Sequence, residues 1–330
     1  MFGAAKRALY ILLKHQQLRV DILNEDDLTD TPSRLERYKL LYVTDAHVST
    51  AASIAISKWT RSEGGTLFAT AGAGMYNEAN QSNLHLRGVL GLNASHEYHM
   101  QLGSAPIAFL KIDLPTAEPV DHVVLTGSMS SNTGIAAYGA RALLGNNTLA
   151  ETVLARFASD HSVAATIHTA GNGRAVLVAF LPSLSWFKPA LPSRPIDICA
   201  RDDPSPLSGC FSQFLPSAFD TAAAELITPT AAELPEQLAV ASGALVEVGV
   251  LNAQERGAAI VLINWSAELC HRLNISVAAS GVPAFKTAIR VSDGLSVPFH
   301  QDHVTGGGSL PRWVFVVDRL DVADALALRP

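Results

Sequence analysis

Apolar residues recur at helical spacing from Ala4 to His15. Ala5, Ala8, Leu9 and Leu12 fall on one face and Lys6, Arg7 and Lys14 on the other, which predicts an amphipathic helix. Leu18 to Leu23 predicts a short strand, with the acidic stretch Asn24 to Asp30 as the loop at its carboxyl end. Lys39 to Val43 is nearly all apolar, the pattern of a strand buried on both faces in a parallel sheet. Ser49 is placed to cap a helix whose apolar face is Ala52, Ala55, Ile56 and Trp59. Gly64-Gly65 ends that helix, and Thr66 to Ala69 is the next strand. The alternation predicts an open parallel α/β sheet. Such a sheet normally begins with a strand, whereas this pattern opens on a helix. Either the first strand is missing or the chain begins inside a longer protein.

Beyond Gly74 the period changes. Asn83 to Leu92 predicts a short helix. Strands are then expected at Ile107–Ile112, His122–Thr126, Val153–Phe157, Val163–His168 and Arg174–Phe180, with Gly171-Asn172-Gly173 as a hairpin turn. The proline-rich stretch Pro182 to Pro216 predicts irregular structure, Ser217 to Ile227 a helix, and Pro229 to Pro235 a linker. Short strands at Val246–Leu251, Ala258–Asn264, Leu273–Val277, Thr287–Val291 and Trp313–Val317 predict a small antiparallel β-sandwich. The expected division is an α/β domain over 1–190, an irregular linker with a helix over 191–235, and the sandwich over 236–330.

Composition agrees with two folded domains: 330 residues, 48% apolar and 16% charged. A net charge of -6 with no basic run argues against nucleic-acid binding. No stretch reaches the ~18 apolar residues of a membrane span. Lys6, Arg7, Lys14 and His15 break up the apolar start, so it reads as a folded helix and not a signal peptide, and a cytoplasmic location is expected. Cys199, Cys210 and Cys270 make no disulfide framework, although a Cys199–Cys210 pair is one alternative. The sequons at Asn80, Asn93, Asn146, Asn264 and Asn274 are read as chance occurrences without a secretory signal.

Open α/β sheets place ligands at the carboxyl ends of their strands. Three loops qualify: Asn24 to Asp27, Thr44 to His47, and Ala71 to Glu78. Together they offer Asp45, His47 and Glu78 as candidate acid–base groups, with Tyr76 and Asn77 as candidate ligand contacts. The alternative is structural: Asp45 and Ser49 order a loop and cap a helix, while Asn77 and Glu78 bond backbone or water. The turn after Thr66–Ala69, where a nucleophile would stand, is Ala71-Gly72-Ala73-Gly74. It also lacks the third glycine and the Lys-Ser/Thr of phosphate-binding loops, so no cofactor is expected. His96-Glu97-Tyr98-His99 has the wrong spacing for a zinc helix, and His300-Gln301-Asp302-His303, beside Gly306-Gly307-Gly308, reads as an exposed loop, so no metal is expected. Trp186, before Phe187 and Pro189, is either a sugar-stacking platform or a cap over a core edge or subunit interface.

The run Tyr38 to Asn83 resembles the glutamine-amidotransferase-like trimerisation domain of beta-galactosidases of the glycoside hydrolase 42 type, a flavodoxin-like fold. The features that carry the resemblance are the helix Ala4–His15, the strand Lys39–Val43, the helix ending at Trp59, Gly64-Gly65-Thr66-Leu67, and Glu78-Ala79-Asn80. Gly173 to Val178 is similar to that domain's closing strand. Ile263-Asn264-Trp265-Ser266 and Trp313 to Val317 are similar to the small β-domain that follows it. The resemblance implies a homo-oligomer, of which a trimer is one form, and a contribution to a neighbouring subunit's carbohydrate pocket. In such enzymes two glutamates on a separate (β/α)8 barrel do the chemistry, and a barrel needs about 200–250 residues of βα units. No such run is present, so no glutamate pair carries over. Amidotransferases place a Cys at the turn where Ala71 to Gly74 stand, which argues against that activity. The leading expectation is a non-catalytic accessory region of a beta-galactosidase-like glycoside hydrolase. The alternatives are a stand-alone hydrolase using the strand-end loops and a carbohydrate-binding module using Trp186 or Trp265.

Overall fold

The computed structural model describes residues 2–92, 99–103, 118–126, 134–144, 152–190, 219–227, 238–243, 245–253, 257–266, 269–302 and 311–330. The chain divides into two units, Met1–Tyr10 with Asp21–Leu234, and Ile11–Val20 with Pro235–Pro330.

Helix α1 (Phe2–His15) buries Ala5, Ala8, Leu9 and Leu12, as its apolar spacing requires. Residues 18–23 form no strand, and Ile22 is 75% exposed. An apolar run this short becomes a strand only where a neighbour takes up its N–H and C=O groups. The acidic stretch that follows is not a loop but helix α2 (Glu25–Asp30). Asp27 Oδ2 accepts the Asn24 N–H at 3.0 Å, and Glu25, Asp26 and Asp27 fill the first turn, where a helix favours negative charge.

Strands β1 (Leu40–Val43) and β2 (Thr66–Ala69) pair in parallel, joined by helix α3 (Thr50–Glu63). The Ser49 hydroxyl caps α3 by accepting the Ala52 N–H at 3.3 Å. Gly64 closes it at φ +78°, a left-handed conformation that favours glycine. A side chain at Gly65 would begin 2.2 Å from the Trp59 indole, so glycine there lets the helix lie close as the chain turns into β2. Helix α4 (Leu84–Val89) follows. Next come β3 (His99–Leu102), β4 (Asp121–Leu125), β5 (Ile135–Ala137), β6 (Ala140–Leu143), β7 (Thr152–Phe157), β8 (Val163–Ala170), β9 (Gly173–Val178), and helices α5 (Pro182–Phe187) and α6 (Thr221–Ile227).

The central sheet has the order β1-β2-β9-β8-β7-β4-β5. Strand β9 continues the parallel pairing with β2, and the four strands beyond it run antiparallel, so the sheet is mixed. The hairpin turn between β8 and β9 falls at Gly171-Asn172 as the sequence predicts. Strand β1 lies at the sheet edge, and its residues are half-buried instead of covered on both faces. Strand β2, one place inward, is wholly buried. Among the described residues the sheet is open, with β1 and β5 as its edges. Strands β3 and β6 form a separate antiparallel pair.

The expected irregular stretch after Pro182 begins instead as α5. Proline suits its first turn, where the missing N–H has no acceptor to serve. The rest of that stretch, with Cys199 and Cys210, lies outside the described residues, as do the expected strand 107–112 and linker 229–235.

The second unit holds β10 (Ala239–Ala241), β11 (Val246–Asn252), β12 (Ala258–Asn264), β13 (Cys270–Ala278), β14 (Thr287–Arg290), β15 (Phe299–Asp302), β16 (Arg312–Leu320) and β17 (Ala323–Arg329). They form two antiparallel sheets, β10-β13-β16-β15 and β11-β12-β17-β14. Ile260, Leu262, Ile275, Phe315, Leu326 and their neighbours make one apolar core between the sheets, in the manner of a β-sandwich. The sequon residue Asn264 is 5% exposed and donates to the Asp321 carbonyl at 2.6 Å. Among the described residues, no helix is long and apolar enough to cross a membrane.

Candidate functional site

The loops after β1 and β2 meet, as sequence position predicts. The Gly74 N–H donates to Asp45 O at 2.9 Å, the Tyr76 N–H to Ala46 O at 3.0 Å, and the Val48 N–H to Tyr76 O at 3.0 Å. These bonds bring Asp45, His47, Tyr76, Asn77 and Glu78 into one corner of the first unit. The His47 and Tyr76 rings lie 5.4 Å apart between centroids.

Each polar group there has a different partner. Asp45 Oδ2 pairs with Lys6 Nζ at 2.5 Å, and both side chains are about half exposed. His47 Nε2 is 3.1 Å from Asn80 Oδ1. Asn77 Oδ1 accepts the backbone N–H groups of Ala79 (3.1 Å) and Gln81 (2.8 Å), an Asx-type turn. Glu78 Oε2 accepts the Thr50 N–H at 2.6 Å and the Thr50 hydroxyl at 3.1 Å. Among the described residues, no hydrogen bond or ion pair joins Asp45, His47 and Glu78 to one another.

The Glu78 carboxyl is held below its ordinary range. Its own backbone N–H is the main cause, followed by the Thr50 N–H, with burial opposing. Glu25 reaches the same place, its Oε2 accepting the Ser49 N–H at 2.9 Å. Two carboxylates thus serve the first N–H groups of α3, where the helix has unpaired donors and partial positive charge. A carboxylate held ionised by such donors is a poor proton donor near neutral pH. The arrangement anchors α3.

Asn83 completes the anchor and escapes sequence reasoning except as a helix boundary. It is 2% exposed. Its Nδ2 donates to Val48 O (3.1 Å) and Ser53 Oγ (2.6 Å), and its Oδ1 accepts the Leu86 N–H (3.4 Å). One amide thus ties together the loop after β1, helix α3 and helix α4. The turn Ala71–Gly74 is buried, and a side chain at Gly74 would start 2.4 Å from Leu86. That position is therefore closed to a protruding nucleophile.

Trp186 is 3% exposed, with its indole stacked on Phe219 at 4.2 Å between ring centroids. Trp265 is 57% exposed and donates to Glu247 Oε2 at 3.2 Å. Residues 96–98, 303 and 306–308 lie outside the described residues, while His99 lies in β3, and His300 and Asp302 in β15. No group of three or more His, Cys, Asp or Glu that could hold a metal occurs among the described residues.

A second polar constellation also escapes sequence reasoning. The Arg141 guanidinium pairs with the buried Asp121 carboxylate. It also donates to Gln101 Oε1 (2.9 Å), Ser159 Oγ (3.0 Å) and Asp160 Oδ2 (2.9 Å), and lies 5.0 Å from the Phe157 ring centroid. Asp121 in turn accepts the Ser159 hydroxyl at 2.6 Å and the His122 N–H at 2.7 Å. The network joins β3, β4, β6 and the β7–β8 turn.

No family model matches the sequence, and no curated relative matches it either. Solved structures do. A beta-galactosidase from Bacillus circulans sp. alkalophilus superposes with a TM-score of 0.59 over 99% of this chain and 38% of its own, at 16% identity. This chain has the fold of part of a beta-galactosidase. The E323A catalytic mutant of Gan42B, a GH42 beta-galactosidase from G. stearothermophilus, matches with a TM-score of 0.56 at 13% identity, over 99% of this chain and 36% of its own. An alpha-L-fucosidase isoenzyme 2 from Paenibacillus thiaminolyticus matches with a TM-score of 0.53 at 12% identity, over 99% and 45%. The chain therefore spans less than half the length of each of these proteins.

Proposed function

We propose that this chain is a non-catalytic accessory region of a beta-galactosidase-like glycoside hydrolase, with the first unit making subunit contacts in a homo-oligomer. The observation that supports this most is the engagement of Glu78: the best-placed carboxylate of the strand-end corner serves the N-terminus of α3. A turn without a nucleophile and the fold shared with part of a beta-galactosidase agree with it. Carbohydrate contact, where it occurs, is with a sugar held mainly by a neighbouring chain.

The test is turnover of nitrophenyl glycosides, beta-galactosides first, by the purified chain, with sedimentation velocity on the same sample. No turnover together with self-association is the expected result. Turnover that Glu78→Gln or Asp45→Asn abolishes in a folded protein would overturn the proposal in favour of a hydrolase built on the strand-end loops. The convergence of Asp45, His47 and Glu78 in one corner is the observation behind that second reading. Saturable quenching of tryptophan fluorescence by free galactose would point to a sugar-binding module at the exposed Trp265.

A further inference from the structure

Among the described residues, strand β11 stands at the end of its sheet, with β12 on one side only. Its register with β12 runs unbroken from Val246 beside Asn264 to Asn252 beside Ala258. The flanking bonds, Trp265 N–H to Leu245 O (2.8 Å) and Ala253 N–H to Gly257 O (2.9 Å), fix the parity of the ladder. Odd-numbered residues of β11 exchange bonds with β12, so the N–H and C=O groups of Val248 and Val250 face the open edge. Natural edges are protected by short strands, bulges, proline, charged side chains or a covering helix or loop. Val-Glu-Val-Gly-Val-Leu-Asn is seven residues long, with no bulge against β12, no proline and no lysine. Its one charge, Glu247, is already engaged by Lys14 at 2.8 Å and by the Trp265 indole N–H. Val248 and Val250 pack against the sandwich core yet stay half-buried, and on the opposite face Leu251 is 64% exposed.

We propose that β11 pairs antiparallel with β11 of a second copy of this chain, about a two-fold axis at Gly249, making one eight-stranded sheet from two four-stranded ones. Self-complementarity carries the argument, because an isologous contact must match itself. The parity allows this register. Val248 of each copy falls opposite Val250 of the other in bonded pairs, giving four new N–H···O bonds. Gly249 falls opposite itself in a non-bonded pair, where Cα atoms approach to about 4.5 Å, and no side chain obstructs the approach. Glu247 falls opposite Leu251, so no like charges meet. The contact also covers the half-buried Val248 and Val250. It goes beyond the proposed subunit role, which concerns the first unit.

The experiment compares the full chain with Gly249→Lys, Gly249→Cys and Leu251→Cys. A Cβ at Gly249 meets only Val261 Cβ, at 3.9 Å, and the backbone there is not left-handed, so these variants are expected to fold. In sedimentation velocity over a dilution series, Gly249→Lys should weaken self-association about tenfold or more, since two like charges face each other across the axis. Mild oxidation should link Gly249→Cys into a disulfide dimer, because a non-bonded pair has the right Cα spacing. Leu251→Cys, which faces Glu247, should cross-link no more than the parent with its three cysteines. Parent-like sedimentation of Gly249→Lys, or parent-like cross-linking of Gly249→Cys, would overturn the inference. The cross-link reports on this contact whether or not the first unit makes one, so self-association that persists without it sinks this interface and leaves the proposed subunit role standing.

Discussion

In the first unit, buried polar side chains hold the parts together. Asn83 joins two helices and a loop, and Arg141 with Asp121 joins three strands and a turn. In the second unit a continuous apolar cluster between the sheets carries more of that work, beside buried Asn264 and Arg312, and Val248 and Val250 at the β11 edge stay half-buried. Polar keystones have fixed partners and fixed geometry, so they specify one arrangement and leave little to offer a ligand. An apolar core has no such stop, and its unfinished edge remains available for association. Where the fold places its strand-end loops, the groups are engaged. Where nothing in the fold class points to a site, the outward edge of β11 has no partner strand among the described residues.

The largest break in this comparison should come from Arg141→Met. It leaves Asp121 charged and buried without its main partner, and unfolding stability should fall by about 3–5 kcal/mol in urea titrations. Adding Asp121→Leu should recover part of that loss, because the apolar pair carries no uncompensated charge. Recovery of nothing would mean that the network is not the keystone described. Phe315→Ala should cost a similar ~3–5 kcal/mol in the second unit, by opening a cavity. Asn83→Ala should cost about 2–3 kcal/mol, through loss of its bonds to Val48, Ser53 and Leu86.

A pH effect sharpens the contrast further. Burial pushes the His15 imidazole down to about 4 from its ordinary value of 6.5. The unfolded chain therefore takes up a proton between these values that the folded chain refuses, so stability is full above about 6.5 and declines as pH falls toward 4. His15→Gln should flatten the urea midpoint over that window, and an unchanged slope would refute the assignment. The smallest effect belongs to Glu78→Gln. Because the folded carboxyl is held low, its stabilisation is present above the ordinary carboxylate range and fades as pH falls through the folded value. The variant should show a slight drop in thermal midpoint at neutral pH and none in strong acid.

Local chemistry made much of the fold legible. Ser49, the Ala52–Ile56–Trp59 face and Gly64-Gly65 mark both ends of α3, and Gly171-Asn172 marks its hairpin. Elsewhere local signals misled. Asn24 and Asp27 make a helix start that reads as an acidic loop, and Pro182 opens a helix where proline suggests none. Alternating apolar residues found β11, β12 and β13, but Ala323 to Arg329 is rich in alanine and leucine and carries no strand signature. It becomes β17 because β12 and β14 on either side complete its backbone bonds.

The sequence by itself determined which segments are helix or strand where caps and periods are strong. It determined that Asp45, His47 and Glu78 share the strand-end loops, and that the turn beside them holds no nucleophile. Only the tertiary structure decided which partners those groups meet. Whether a carboxylate is an acid, a base or a helix anchor depends on the donors within about 3 Å of it. For Glu78 these include the N–H and hydroxyl of Thr50, far away along the chain. The same holds for the mixed sheet and the bare edge of β11: pairing is made between distant segments, and local propensity carries no record of which neighbour a strand will find.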